Sequence, residues 1–229
     1  MGFSARNEKA ARLVRDVAQM LWASPVIQDT GPYFHEPYGY EALLSHEAQD
    51  VLRRRHDATA DHIRFAPDFV LVYPNRRNNR NVLLLEYKVT TTPRYTFKEE
   101  QWDFGQIEAD SWENDLQLST LGIAVALIIY CPYHSRPILC DFVKPELANT
   151  LRRQVQSTYT GSSTDYVNIH LKSMRTLGEF LSDELGIPYA ISAPIITSMK
   201  EGWLRDSVMH TSHATGSTYK ERITGFNWE

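Results

Sequence analysis

Two spacings of apolar residues divide the chain. Near the N-terminus they recur every three or four positions, at Ala10, Leu13, Val14, Val17, Ala18 and Leu21. That spacing predicts an amphipathic helix over 8–22. Pro25 and Gly31-Pro32 then mark a loop. A second helix is predicted over 40–56, ending in the basic run Arg53-Arg54-Arg55. After it the period shortens. Phe69 to Tyr73 and Val82 to Val89 are runs of apolar, aromatic and β-branched residues, separated by the turn-forming, basic stretch 74–81. This reads as a β-hairpin with a basic tip. A third helix is predicted over 106–121, closed by Gly122. Ile123 to Tyr130 is continuously apolar, as expected of a strand covered on both faces. Pro137 to Val143 is expected to pair with it through a turn at 132–136. Beyond Lys144 the pattern weakens: a helix over 145–156, a loop over 159–165, a strand over 166–171, a helix over 176–185 stopping at Gly186, another over 199–209, and a polar tail from His210.

This order predicts an α/β fold, a mixed central sheet flanked by helices. It suggests an N-terminal helical segment (1–35), a core (36–143) and a C-terminal α/β elaboration (144–229) for dimerisation or specificity. The 229 residues, 42% hydrophobic, suffice for a substantial core. A net charge of -4 argues against a protein that coats nucleic acid indiscriminately, but not against a site that gathers carboxylates. Cys131 and Cys140 lack metal-ligand spacing and read as buried thiols in a reducing compartment. They are too few for a four-cysteine iron–sulfur cluster. The eight histidines show no ligand spacing, and neither a P-loop nor a serine-hydrolase elbow is present. The longest apolar run, Ile123 to Cys131, falls short of the roughly 20 residues that span a bilayer. Met1 to Lys9 shows no signal-peptide pattern, so the expected location is the cytoplasm.

The chemistry lies in the second strand of the hairpin. Side chains alternate across a strand, so Glu86 and Lys88 share one face and Leu85, Tyr87 and Val89 the other. A carboxylate and an ammonium in an otherwise apolar strand cost several kcal/mol each unless paired or bound to a metal. Asp68 opens the preceding strand, just after Pro67, and a hairpin brings it toward Glu86. The two carboxylates could hold one hard cation. Mg²⁺ suits, because it accepts one or two carboxylates and keeps several waters. The Tyr87 carbonyl is a further oxygen for it, and Lys88 would stand beside a metal-bound water.

Pro67-Asp68 followed by Glu86-Tyr87-Lys88, on a strand–hairpin–strand–helix–strand order, resembles the signature of the PD-(D/E)xK nucleases. That superfamily includes restriction endonucleases, Holliday junction resolvases and phage-defence nucleases. The resemblance covers residues 36 to 143. It implies a restriction-endonuclease-like core, Mg²⁺-dependent hydrolysis of DNA (Mn²⁺ substituting) and 5′-phosphate and 3′-hydroxyl ends. Asp68 and Glu86 would be metal ligands, Lys88 the catalytic lysine, and a homodimer would cut both strands. Many members add an acidic residue from an upstream helix. Glu36, Glu41 and Glu47 compete for that role. Glu47 is favoured, because it falls on the apolar stripe of Tyr40, Leu43, Leu44 and Val51. Some members carry a glutamine on the helix after the lysine strand, for which Gln106 and Gln117 stand in line.

Arg76, Arg77 and Arg80 at the hairpin tip, and Arg53, Arg54 and Arg55 at the end of the second helix, are candidates for phosphate contacts. Arg94 and Lys98 are further ones. The stand-alone size suits a type II restriction-like or defence nuclease. A structure-specific, resolvase-like nuclease, a non-cleaving nucleic-acid-binding module, and a scaffold in which Asp68, Glu86 and Lys88 form an ion-pair network are the alternatives.

Overall fold

The computed structural model describes residues 14, 18–31, 33–74, 82–89, 104–130, 137–148, 154–156 and 164–200. Six strands form the main sheet: β1 (Phe34–Pro37), β2 (Phe69–Val72), β3 (Val82–Val89), β5 (Val125–Tyr130), β6 (Leu139–Phe142) and β9 (Arg175–Thr176), in the order β1-β2-β3-β5-β6-β9. β3 and β5 run parallel and the other neighbours antiparallel. A parallel pair needs a crossover. Strand β4 (Phe104–Glu108) and helix α5 (Ala109–Thr120) lie in that connection. A second sheet, β4-β8-β7, is antiparallel and adds β7 (Gln154–Gln156) and β8 (Thr164–His170).

Period-two alternation sorts the central strands into two cores. Leu83, Leu85 and Tyr87 of β3, with Ala126, Ile128 and Tyr130 of β5, face Trp22, Ile27, Phe180 and Leu181. These last come from helices α1 (18–22) and α2 (Pro25–Gln28), and from α6 (Leu177–Phe180) with its π-helical continuation Leu181–Leu185. Helix α7 (189–200) adds Met199. On the opposite face, Leu84, Val125, Leu127 and Ile129 meet Trp112 and Leu118 of α5, and Ile107, Val167 and Ile169 of the second sheet. β4 lies close over β5: a Cβ at Gly105 would stand 2.6 Å from Ile129 Cδ1. The result is a mixed α/β fold, a central mixed sheet flanked by helices, as the pattern of spacings predicted. No helix among the described residues is long and apolar enough to cross a membrane.

Three predicted helices are corrected. The one over 40–56 is a 3-10 turn, Gly39–Ala42, followed by a separate helix, α3 (His46–Arg54). Ser45 starts α3 anew, its side chain accepting from the Ala48 N–H at 3.0 Å. The supposed stripe is not buried: Leu44 is 97% exposed and no residue of α3 is buried. Over 106–121 the helix begins only at Ala109, and Gln106 lies in β4, where tertiary pairing with β8 overrides helix propensity. Over 145–156 the chain forms a 3-10 turn, Pro145–Leu147, then β7. The strand over 166–171 and the helical stretch over 176–185 are present as β8 and as α6 with its continuation. The 132–136 turn, the tail and most of the helices expected over 8–22 and 199–209 lie outside the described residues.

Candidate active site

The antiparallel register of β2 and β3 pairs Phe69 with Leu85 and Val70 with Leu84. Extended by one residue, it sets Asp68 opposite Glu86. Asp68 Oδ2 accepts from the Tyr87 N–H at 2.8 Å, so its side chain ties the start of β2 to β3 at the site. Its own carbonyl accepts from the Tyr38 N–H at 2.8 Å. The 3-10 turn is pressed against the same segment. Gly39 has φ +53°, and a Cβ there would lie 2.5 Å from the Ala66 Cβ, so the turn needs glycine both for backbone and for space.

Beneath the site, the Tyr87 ring enters the opposite core. Its hydroxyl accepts from Trp22 Nε1 at 3.1 Å, and the rings of Phe69 and His35 pack around it. His35 stacks on Phe69 at 4.4 Å, and burial pushes its pKa down to about 4. This cluster anchors β3 at the residue whose N–H holds Asp68.

Above the sheet, Glu86 is 2% exposed. Lys88 Nζ lies 2.7 Å from Glu86 Oε1 and 2.8 Å from Glu108 Oε2. Glu108 ends β4 and stands at the N-cap position of α5. Burial opposes the charge on Lys88, but the carboxylates of Glu86, Glu108 and Asp68 outweigh it and hold its pKa well above the usual lysine range. Lys88 in turn holds Glu108 below the ordinary glutamate value. Burial raises Glu86, against the pull of Lys88. Burial and the neighbouring Glu86 raise Asp68 well above the usual range. Tyr166 pairs with Glu108 across β4 and β8, and burial together with that carboxylate raises its phenol.

A further acidic residue belongs to this cluster and was not singled out from the sequence. Asp115 of α5 is 0% exposed, and neither carboxylate oxygen has a hydrogen-bond partner among the described residues. Burial, reinforced by Glu86, pushes its pKa up to about 9. Its signal was available: Asp115 falls three residues from both Trp112 and Leu118 on the buried stripe of the helix. The helix is tied to the turn leading to Pro67-Asp68. Asn114 Nδ2 donates to the Phe65 carbonyl at 3.0 Å, and a 2.9 Å hydrogen bond joins Asn114 Oδ1 to Nδ1 of His62 in helix α4 (Ala58–Arg64).

Asp68, Glu86, Tyr87 and Lys88 are thus brought together. The upstream carboxylates are not equivalent. Glu47, the favoured one, is exposed on the first turn of α3, where the backbone and Ser45 hydrogen bonds lower its pKa. Glu36 is exposed on β1. Glu41, in the 3-10 turn, is the one whose charge reaches Asp68. Gln106 Nε2 donates to Asn168 Oδ1 at 3.3 Å, and Gln117 is exposed on α5. Arg54 is exposed at the end of α3, Arg53 pairs with Asp50 at 3.6 Å, and Arg55 with Asp57 at 3.8 Å. Arg76, Arg77, Arg80, Arg94, Lys98 and Cys131 lie outside the described residues. Cys140 is buried in the core beneath the site.

Among the described residues no group of three or more His, Cys, Asp or Glu is arranged to hold a metal ion. Lys88 instead sits between Glu86 and Glu108. The donor set nonetheless fits a hard divalent cation. It is all oxygen, its acidic groups outnumber the one ammonium, and neither oxygen of the buried Asp115 carboxyl has a hydrogen-bond partner among the described residues. Mg²⁺ needs only one or two protein carboxylates, taking its other oxygens from water and substrate phosphate.

No protein-family model and no curated protein matches the chain. Among solved structures, the chain is similar to Hjc, a Holliday junction resolvase from the archaeal hyperthermophile Archaeoglobus fulgidus, with a TM-score of 0.38. Identity is 12%, and the match covers 75% of this chain and 93% of that one. A likeness at this level carries no weight for activity, so the functional reading rests on the geometry of Asp68, Glu86 and Lys88.

Proposed function

We propose that the protein is a divalent-metal-dependent endonuclease of the PD-(D/E)xK type, hydrolysing the phosphodiester backbone of DNA. One observation carries the reading: the strand register sets Asp68 opposite Glu86, with Lys88 on the Glu86 face and 2.7 Å from its carboxylate. Asp68 and Glu86, with the Tyr87 carbonyl, would hold Mg²⁺, or Mn²⁺ in its place. When bound, the ion supplies Lewis acidity to the phosphate and lowers the pKa of a water that it binds. Lys88 keeps its proton, since three carboxylates hold it charged. A fixed ammonium in a partly dehydrated site stabilises the charge that grows on the phosphate oxygens. Glu108 keeps hold of Lys88 when Glu86 is drawn to the cation. The Tyr87 N–H leaves Asp68 oriented and limits its freedom to turn away. Cutting both strands of a duplex calls for two such centres, so the reading includes a homodimer.

A second reading has its own support. Lys88 is already satisfied at 2.7 and 2.8 Å by Glu86 and Glu108. An ion-pair network of this kind, in a binding or scaffold protein, needs no cation. It predicts a melting temperature indifferent to Mg²⁺ and Mn²⁺.

The deciding experiment incubates the protein with plasmid, linear duplex and single-stranded DNA in Mg²⁺, Mn²⁺ or EDTA, beside Lys88→Ala and Asp68→Ala. Metal-dependent cutting lost in both variants is the expected result. Cutting that survives either substitution, or folded protein that cuts none of these substrates, overturns the assignment.

A further inference from the structure

The least explained group in the molecule is Asp115. A carboxyl wholly removed from water and left without a hydrogen-bond partner costs several kcal/mol. Trp112 and Leu118, on either side of it along α5, are core residues, so the fold itself asks for an apolar side chain there. Among the described residues no ion pair compensates. The Lys88 ammonium, whose charge Asp115 feels, is committed to Glu86 and Glu108 at 2.7 and 2.8 Å. Meanwhile Asn114, one residue before, ties the helix to the turn that presents Asp68. The carboxyl is therefore held on a fixed element that packs against the Glu86 face of the sheet, where the charges of Glu86, Lys88 and Asp68 reach it, and neither of its oxygens has a hydrogen-bond partner among the described residues.

We propose that Asp115 is a further cation-binding carboxylate of the site, supplied by the helix that follows the lysine strand instead of one upstream of the motif. The proposal rests on the metal-dependent reading above and extends it. It replaces the upstream acid sought at Glu47 by a residue whose burial and missing partners call for a ligand. Asp115 would then meet the ion through its inner waters, which Mg²⁺ keeps, while Asp68 and Glu86 hold it directly, and the unfavourable burial of Asp115 is offset only when the cation is present.

The test measures cation binding directly, without cleavage. Melting temperature and isothermal titration are followed with Mg²⁺ and with Mn²⁺ for the wild type, Asp68→Asn, Asp115→Asn and Asp115→Leu. A cation-binding Asp115 gives opposite effects in one variant. Asp115→Asn melts higher than the wild type in EDTA, yet binds the cation about tenfold or more weakly. Asp115→Leu, which fills the same stripe with an apolar side chain, does the same if the asparagine variant folds poorly. If the wild type binds and Asp68→Asn does not, while both Asp115 variants bind as the wild type does, this inference fails and the nuclease reading stands. If the wild type itself binds no cation, both fail together.

Discussion

Without metal, the protein should lose stability as pH rises through the neutral range, and Asp115 should be a main cause. In the unfolded chain its carboxyl ionises near 3.8, but burial holds the folded value at about 9. Between those values the folded state keeps a proton that the unfolded state has released, so unfolding becomes easier as pH rises. His35 acts with the opposite sign. Its folded pKa is about 4 against an ordinary 6.5, so between the two the unfolded chain holds the extra proton and stability rises with pH. The two slopes oppose each other below pH 6.5. Above it His35 is silent and Asp115 acts alone of the pair. One proton changes stability by about 1.4 kcal/mol per pH unit, or about 3 kcal/mol between pH 6.5 and 8.5. For a chain of this size that corresponds to a fall in melting temperature of roughly 5–10 °C. The assay is thermal denaturation in EDTA across that window, for wild type and Asp115→Asn. The variant should show a shallower slope and melt higher at the alkaline end. Asp68 and Glu86, whose pKa values burial also raises, act with the same sign as Asp115. A flat wild-type profile, or the same slope in both proteins, refutes the reasoning.

Three further outcomes are expected. Tyr87→Phe strands the buried Trp22 indole N–H and should cost about 1–3 kcal/mol in urea denaturation, with cleavage per folded molecule unchanged, because Tyr87 serves the site through its backbone. Glu108→Gln removes one of the two carboxylates holding Lys88. It should lower kcat about tenfold with little change in KM, and a rise in KM alone would speak against the role given to Glu108. Gly39→Ala meets both a left-handed backbone and the Ala66 Cβ, and should destabilise the fold by about 1–3 kcal/mol while weakening cation binding through Asp68; unchanged urea midpoints would show that the turn is not so constrained.

How much of this could be read from residues alone depended on the range of the interaction. The alternation in Val82 to Val89 placed Glu86 and Lys88 on one face, and Leu83, Leu85 and Tyr87 do line the other core. The apolar run expected over Ile123 to Tyr130 contains a strand buried throughout, but it begins at Val125, and Ile123 is exposed. These are local signals with a strong period. Pairing between distant segments left no such signal: the β4–β8 ladder joins Gln106 to Asn168, and it converts the expected start of a helix into a strand. Apolar spacing also misled at 40–56, where Leu44 and Val51 are exposed and the periodicity did not mark a buried face. The rule that drew attention to Glu47, a carboxylate on an apolar stripe, was sound but applied to the wrong helix. It describes Asp115, flanked by Trp112 and Leu118.

The β4–β8 pairing has a consequence for synthesis. β4 carries Glu108, the partner of Lys88, but its register partners are Tyr166 to His170. A ribosome delivers Asp68, Glu86, Lys88 and Asp115 well before it delivers β8. At a few to about twenty residues per second, that leaves an interval of seconds in which Ile107 and its strand lack a partner. During translation the chain therefore holds every charged group of the site before the ladder that seats Glu108 against Lys88 has formed. A nascent or truncated chain ending before Thr164 would carry the motif without its finished setting, and an unpaired strand edge open to other chains. The finished setting of the site is thus conferred late, by a segment that contains none of the signature residues.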